Sequence, residues 1–153
     1  MRFVVDVMLG KLAKWLRILG YDTLYSNSYR DEELARIADL ENRYLLTRDR
    51  ELLTKYRVKR SLLVNSNEVL AQLRELKDKL HIQTGESFLS RCVSCNHEIV
   101  ETFKEDVVDE VPRYVYTTQS RFYRCSGCDK IYWSGTHVTR MRKRLQETFQ
   151  LPE

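Results

Sequence analysis

The chain has 153 residues, a formal net charge of +4 and 42% hydrophobic residues, which is enough apolar material for one domain or two small ones. Its longest apolar run is far shorter than the ~20 residues that cross a bilayer, so the sequence argues against a membrane protein. The N-terminal segment places charged side chains among its apolar residues, unlike a secretory signal peptide. We therefore expect a cytoplasmic protein.

The first 82 residues alternate between short apolar runs, which are typical of buried strands, and segments with apolar residues at helical spacing. A helix follows each predicted strand, and the strands are residues 3–5, 23–25, 44–47 and 61–64. Gly20 suits the end of the first helix, and Asp31 and Asp49 suit the starts of the second and third. Four successive strand–helix units predict an α/β domain over residues 1–82, with a parallel sheet flanked by helices.

Residues 88–153 are predicted to form a second, smaller domain. The helical periodicity stops at residues 83–87, which favours a linker there. Short runs of β-branched and aromatic residues predict antiparallel strands at residues 99–103, 114–118, 122–124 and 131–133. A basic helix is predicted to close the chain from Val138 to Phe149.

The two signs of charge separate within this second domain. Residues 98–110 contain six acids and one base, whereas residues 121–144 contain seven bases and one acid. Such a basic stretch favours a polyanionic partner, although a solvated surface has the same composition.

The four cysteines form two C-x-x-C pairs, Cys92 with Cys95 and Cys125 with Cys128, separated by 29 residues. Two such pairs present four thiolates to one tetrahedral zinc ion, and the long gap leaves room for a β-hairpin. Disulfides or a redox pair are the alternatives, but a reducing cytosol and a position outside the α/β domain favour metal. We predict a closed, structural zinc site in a zinc ribbon.

Four other polar residues lie close to the cysteines or near the basic helix. Asn96 and Asp129 follow the two pairs directly, and both residue types tolerate the left-handed backbone found after such turns. His97 and His137 are alternative zinc ligands, but we expect them to be surface residues or to support the ligands.

Polar side chains also lie at the ends of the predicted strands. Asp6 ends the first strand, and Asp31 opens the helix after the second. Asp49 follows the third strand, and Asn65 follows the fourth. Because the carboxyl ends of parallel strands meet at one edge of a sheet, we expect these side chains to converge. Clustered carboxylates need a cation between them, and oxygen ligands suit Mg²⁺ or Mn²⁺, although capping alone explains Asp31 or Asp49.

Five segments of the chain carry a resemblance to a known family: FVVDVMLGKLAKWLRILGYDT, DEEL, YLLTRDREL, RCVSCN and YRCSGCDKIYWSGTH. Together and in this order, they resemble the Mut-seven C-terminal RNase domain family, which is regarded as a PIN-like nuclease domain with an appended zinc ribbon. The resemblance covers nearly the whole chain. It implies a PIN-like fold and metal-dependent cleavage of RNA.

The resemblance also implies roles for individual residues. The early aspartate of the PIN-like pattern is Asp6, and its middle acid is Asp31 or, alternatively, Glu32. The Thr-x-Asp element runs from Thr47 to Asp49, and a hydrogen bond from Thr47 is expected to orient Asp49.

The fourth acidic position is the one at which the chain departs from the pattern. Asn65 is an amide there, and Asn67 and Glu68 are alternatives. A missing fourth carboxylate would weaken the binding of one of two metal ions. The departure therefore bears on whether two ions bind more than on whether any ion binds.

On this basis we predict a ribonuclease in which Asp6, Asp31 and Asp49 hold one or two Mg²⁺ or Mn²⁺ ions. Residues near the same edge are predicted to bind the RNA substrate: Lys11, Arg17, Thr47, Arg48, Arg50 and Asn65. For Lys11 and Arg17, a solvated helix face is the alternative.

The alternative function is a non-catalytic RNA- or ribosome-binding adaptor. In that case the zinc ribbon and the basic terminal helix carry the function, and Tyr123, Tyr132 and Trp133 stack on bases. Packing against the zinc site is the competing explanation for these aromatic residues. A deaminase-like or protein-interaction role is a third alternative.

Overall fold

The computed structural model describes residues 1–85 and 87–150, and it begins with a four-stranded parallel sheet. The strands of this sheet are β1 (Phe3–Val5), β2 (Thr23–Tyr25), β3 (Tyr44–Thr47) and β4 (Ser61–Leu63). They lie in the order β2-β1-β3-β4, and Val5 of the central strand β1 lies beside Tyr25 and Leu46. The predicted parallel α/β architecture is therefore confirmed.

A helix follows each strand: α1 (Gly10–Ile18), α2 (Asp31–Leu40), α3 (Arg50–Tyr56) and α4 (Val69–Leu80). Helices α1 and α4 cover one face of the sheet, where they pack on Phe3, Val5 and Leu46. Helices α2 and α3 cover the other face, where they pack on Val4 and Leu45. Successive residues of β1 thus enter opposite cores, which explains why this strand is apolar without alternation.

The helix ends agree with the sequence at two points and differ at a third. Gly20, just after α1, has φ +93°, a conformation that favours glycine. Asp49 caps α3, because its Oδ1 accepts hydrogen bonds from two backbone N–H groups of the first turn. The prediction that Asp31 caps α2 is wrong: Arg30 occupies the cap position, and no side chain caps the helix. Asp31 lies in the first turn instead, where its negative charge interacts favourably with the positive end of the helix dipole.

The second sheet is small and antiparallel. Its strands are β5 (Ile99–Thr102), β6 (Phe122–Cys125) and β7 (Ile131–Tyr132), and they lie in that order. Tyr123 pairs with both Glu101 and Tyr132, so β6 is the central strand. Together with the cysteines on its loops, this sheet forms the predicted ribbon.

Helix α5 (Arg113–Thr118) lies between β5 and β6, so the strand prediction for residues 114–118 is wrong. Pro112 starts the helix, since its carbonyl accepts the first hydrogen bond of α5. Within α5 only Val115 is buried, and it packs against Phe122. The β-branched and aromatic composition of the run has little weight here, because strand propensity depends on packing in a sheet that this segment does not join.

The last helix, α6 (Thr136–Phe149), links the two parts of the fold. Its Leu145 and Phe149 pack in the same core as α1 and α4, although we expected this helix to belong with the ribbon. The boundary at residues 83–87 therefore remains a prediction, and Glu86 lies outside the described residues. At 14 residues α6 is short, and none of the described helices is long and apolar enough to cross a membrane.

A buried polar network joins the ribbon to the connection between α1 and β2. Asn96 is 8% exposed, and its Oδ1 accepts the Thr23 N–H at 2.9 Å. Its amide nitrogen donates to Asp22 Oδ1 at 2.8 Å, and Arg43 pairs with the same oxygen at 2.8 Å. Burial alone raises the pKa of Asp22, but the hydrogen bonds from Arg43 and Asn96 outweigh burial and lower it. The ribbon is thus held to the parallel sheet by a charged, hydrogen-bonded contact.

Removal of the Asn96 amide should weaken this contact. In Asn96→Gly the buried N–H of Thr23 loses its acceptor, so we expect the free energy of unfolding to fall by about 1–3 kcal/mol. Asn96→Ala should cost roughly 1 kcal/mol more, because Asn96 has φ +71°. Urea unfolding measures both changes. The control is Asn42→Gly, since Asn42 is exposed and also has a positive φ, and an equal loss there would contradict the proposed contact.

Candidate metal centres

The four cysteine thiols meet around one point. Their Sγ atoms all lie within 4.8 Å of one another, with 3.7 Å between Cys92 and Cys128 and 3.3 Å between Cys95 and Cys125. Zn–S bonds of about 2.3 Å in a tetrahedron place the sulfurs about 3.8 Å apart, so this arrangement fits one zinc ion. Four thiolates leave no coordination position for a substrate, which indicates a structural site.

Each C-x-x-C pair lies in a tight turn, which we call a zinc knuckle: residues 92–97 form the first and residues 125–130 the second. In the first, the Asn96 N–H donates to the carbonyl of Cys92 at 2.9 Å. In the second, the Asp129 N–H donates to the carbonyl of Cys125 at 3.1 Å. Asn96 and Asp129 both have positive φ, as their residue types predict. The two turns therefore bring the four thiols to one point.

Tyr132 supports the Cys92 thiol, since its hydroxyl lies 3.0 Å from Cys92 Sγ. Burial raises the pKa of Cys92, but the hydrogen bonds with Tyr132 and with backbone N–H groups outweigh burial and lower the pKa to about 6. A lowered pKa favours the thiolate, which is the form that binds metal. The Tyr132 hydroxyl thus serves the zinc site, in agreement with the packing explanation for this residue.

The two histidines considered as alternative ligands lie outside the site. Within residues 1–85 and 87–150, the cysteines alone form a group of three or more metal-ligating side chains around one point. His97 packs against Gly127 of the second knuckle, where a β-carbon would lie 2.5 Å from His97 Cγ. Glycine at position 127 therefore permits the close approach of the two knuckles.

A hydrogen-bond chain joins Asp6, Thr47 and Asp49 at the carboxyl edge of the parallel sheet. Thr47 Oγ1 donates to Asp6 Oδ2 at 2.8 Å and accepts the Asp49 N–H at 3.0 Å. Thr47 thus holds the Asp49 backbone, and it also holds the Asp6 carboxylate, which the sequence did not indicate. Because Thr47 is 0% exposed, it cannot contact a substrate as we predicted, and it acts as a positioning residue.

The environment of Asp6 suits a cation. Asp6 is 7% exposed, and burial of a carboxylate is costly unless a partner offsets its charge. Its Oδ2 accepts the hydrogen bond from Thr47, and none of the ion pairs among the described residues involves Asp6. A divalent ion with oxygen ligands would supply the missing positive charge.

Two other residues of the predicted acidic site, Asp31 and Asn65, are more exposed than Asp6. Asp31 is exposed in the first turn of α2, and Asn65 is exposed beyond the end of β4. Asp6, Asp31 and Asp49 do not form a ligand group of three in the described part of the chain. Their common metal site therefore remains a prediction.

A sequence profile of the Mut7-C RNAse domain matches residues 1–145 of the 153-residue chain. The chain belongs to the Mut7-C RNAse domain family. The match includes both the parallel sheet and the four cysteines, so the resemblance found in the sequence is confirmed. The name of the family indicates a nuclease or RNA-related function. No curated protein matches the chain.

Arg17 of this Mut7-C RNAse domain does not face a substrate, although we predicted an RNA contact. It is 7% exposed, its Nε donates to the carbonyl of Thr23 at 2.9 Å, and its Nη1 donates to that of Val93 at 2.8 Å. The prediction is wrong because the first zinc knuckle covers this face of α1. Arg17 instead ties α1 to the ribbon.

The remaining predicted substrate contacts of the Mut7-C RNAse domain are exposed: Lys11, Arg48, Arg50 and Asn65. Arg48 reaches over the end of β4, where its Nη2 lies 3.4 Å from the carbonyl oxygen of Asn65. None of the three cations takes part in an ion pair among the described residues. Their charges are therefore available to phosphate groups.

Glu75 is a carboxylate at this edge that the sequence analysis missed. It extends from α4 and accepts the Asn65 N–H at 2.9 Å and the Ser66 N–H at 2.7 Å. Glu68, an alternative for the fourth acidic position, instead caps α4. The available signal was the spacing of Gln72 and Glu75, which are three residues apart and therefore lie on one side of α4, where both bind the loop after β4.

Proposed function

We propose that the chain is a ribonuclease that hydrolyses RNA phosphodiester bonds with Mg²⁺ or Mn²⁺ held by Asp6, Asp31 and Asp49. The observation that carries this proposal is the buried Asp6 carboxylate, which ends β1, accepts a hydrogen bond from Thr47 and takes part in no ion pair among the described residues. Membership of the Mut7-C RNAse domain family supports the same chemistry.

Each residue has its own role in the proposal. Thr47 fixes the orientation of Asp6 before a ligand binds, and such preorganised support keeps a ligand group in place. Asp49 uses Oδ1 to cap α3, and its second carboxylate oxygen remains for a metal. Asp31 adds a third negative charge from the start of α2. A bound divalent metal supplies activation of water and stabilisation of negative charge on the phosphate.

The exposed cations at the sheet edge bind the RNA backbone in this proposal. Lys11, Arg48 and Arg50 are all solvent-accessible and belong to the segments that follow β1 and β3. Contacts of this kind attract any RNA sequence, and their strength falls as salt rises. They position the phosphate near the carboxylates without reading bases.

Zinc has a structural role in the proposal. The four cysteines use all tetrahedral positions of the ion, so the ion is not available to water or to a phosphate oxygen. Its contribution is to hold the two knuckles and, through Asn96, the contact with β2.

A second candidate is an RNA-binding adaptor without cleavage, and the charge of α6 favours it. Arg142, Lys143 and Arg144 are exposed and take part in no ion pair among the described residues. A cationic helix of this kind binds polyanions by counterion release, which requires no metal site.

Cleavage assays on the purified, zinc-loaded chain separate the two candidates. We expect products from RNA when Mn²⁺ or Mg²⁺ is added, and none in buffer without these ions, because the carboxylates lack water-activating power alone. Zinc content must be equal in both samples by metal analysis. RNA that is bound but uncleaved at every Mn²⁺ concentration would contradict the ribonuclease proposal and support the adaptor.

A further inference from the structure

A cavity of about 420 Å³ lies between the ribbon, helix α6 and the C-terminal end of α1. Tyr123 and Tyr132 are cross-strand partners in β6 and β7, so their rings lie on the same face of the small sheet and line one wall together with Trp133. Met141 and Arg142 of α6 line the opposite wall. The adaptor alternative above used these three rings for stacking on bases, but no assignment above uses the cavity that they line.

The chemistry of the cavity matches a nucleotide. Its walls are rich in aromatic rings, which offer flat faces to a base, and its cations are Lys130 and Arg142. No aspartate or glutamate is among the described residues that line it. Neither Lys130 nor Arg142 takes part in an ion pair among the described residues, so both charges remain available to an anion.

Two contacts hold the cations beside the rings. The Arg142 guanidinium lies 4.3 Å from the centroid of the Phe88 ring, and Lys130 Nζ lies 5.4 Å from that of Tyr132. Each cation thus lies over the face of an aromatic ring in a cation–π contact, which leaves the rings of Tyr123 and Trp133 for a base. This places a site for phosphate directly beside a site for a base.

We propose that this cavity binds one unpaired nucleotide of an RNA strand, with the base stacked on Tyr123 and Trp133 and the phosphate held by Lys130 and Arg142. The proposal rests on RNA being the ligand, as in the proposed function. Stacking needs a base whose faces are free, so the site selects single-stranded over duplex RNA. It does not select the base identity, because every base has a π-face.

The position of the cavity indicates where along the RNA strand the bound nucleotide lies relative to the bond that is cleaved. Ile18, which lines the cavity, is the last residue of α1, whereas Asp6 lies before the first turn of that helix. A helix of nine residues is about 13 Å long, so the cavity is remote from the acidic edge. The bound nucleotide is therefore not the one whose bond is cleaved, and it anchors a strand that must be several nucleotides long.

The test measures equilibrium binding of a fluorescein-labelled, twelve-nucleotide RNA to the zinc-loaded full chain by anisotropy, without added Mg²⁺ or Mn²⁺. We expect the single strand to bind at least about fivefold more tightly than the matching duplex, as one stacked base provides. Tyr123→Ala should weaken single-strand binding by a similar factor. Tyr114→Ala is its control, because Tyr114 is 72% exposed on the ribbon and lies outside the cavity.

Arg142→Gln tests the phosphate contact with an exposed residue whose replacement preserves the fold. It should weaken binding more than Arg140→Gln, which removes the same charge from the opposite face of α6. In a Trp15→Phe background, adenosine 5′-monophosphate should also quench the fluorescence of Trp133. Zinc content and melting temperature confirm that each variant is folded.

Two results would overturn the proposal. Equal affinities for single strand and duplex would mean that no base enters the cavity. Equal losses in Arg142→Gln and Arg140→Gln, with unchanged Trp133 fluorescence, would mean that α6 attracts RNA by charge alone. Because these measurements need no cleavage, a failure of the ribonuclease assay leaves them unaffected, and an active ribonuclease does not make them succeed.

Discussion

The Asp6→Asn variant is expected to lose metal-dependent RNA cleavage by roughly 100-fold or more while it keeps the fold. The loss follows because an amide oxygen is a weaker metal ligand than a carboxylate, and metal ions provide several kcal/mol of transition-state stabilisation. The fold should persist, since the asparagine oxygen can still accept the hydrogen bond from Thr47. Removal of a buried negative charge should leave the metal-free melting temperature unchanged or raise it.

Two comparisons make this result specific to the acidic edge. Asp78→Asn changes an exposed acid of α4 and should leave the cleavage rate unchanged. Asp49→Asn should reduce cleavage yet keep the α3 cap, because asparagine caps helices as well as aspartate does, whereas Asp49→Ala should also cost about 1 kcal/mol of stability. Initial rates with Mn²⁺ and thermal unfolding measure both effects. Normal cleavage by Asp6→Asn would remove this carboxylate from the proposed mechanism.

The parallel sheet could be predicted because local and global signals agree in it. Each strand is a short apolar run, and every helix that follows has one apolar face. Periodicity alone therefore predicts the sequence of strands and helices along the chain. The strand prediction for residues 114–118 failed because a run of β-branched and aromatic residues has no fixed preference for a strand outside a sheet. The segment follows Pro112, which is compatible with the start of a helix, and a short helix is sufficient to bury its single buried residue, Val115.

The zinc site could be predicted because its ligands are close in sequence within each pair, and the turn residues Asn96 and Asp129 have a local conformational preference. The environment of Arg17 could not be predicted, because one of the two residues that accept its hydrogen bonds is Val93, 76 positions later in the chain. Helical spacing shows which side of a helix is apolar, but it does not show which polar residue another domain will cover. Glu75 was missed for the same reason, since its contacts depend on how α4 packs against the loop after β4.

Replacement of Cys125 by serine is expected to abolish tight zinc binding and unfold the ribbon. Cys125 is fully buried, and its Sγ also accepts a hydrogen bond from the Gly127 N–H, so serine removes both a ligand and a support of the second knuckle. Structural zinc provides about 10–16 kcal/mol of binding energy in small zinc domains, which exceeds the total stability of ~5–15 kcal/mol of a typical domain. The small antiparallel sheet, with only three short strands, cannot offset that loss.

The loss should spread unevenly through the chain, and hydrogen exchange measures it. Amides of β5, β6 and β7 should lose protection, and the Thr23 amide should exchange faster because Asn96 no longer accepts its hydrogen bond. Amides of β1 and β3 should remain protected, and so should the last turns of α6, since Leu145 and Phe149 pack in the first core. The control is Ser94→Ala, which changes an exposed residue of the first knuckle and should retain one zinc per chain. If Cys125→Ser keeps its zinc and its ribbon protection, the four-thiolate site is not what holds this part of the fold together.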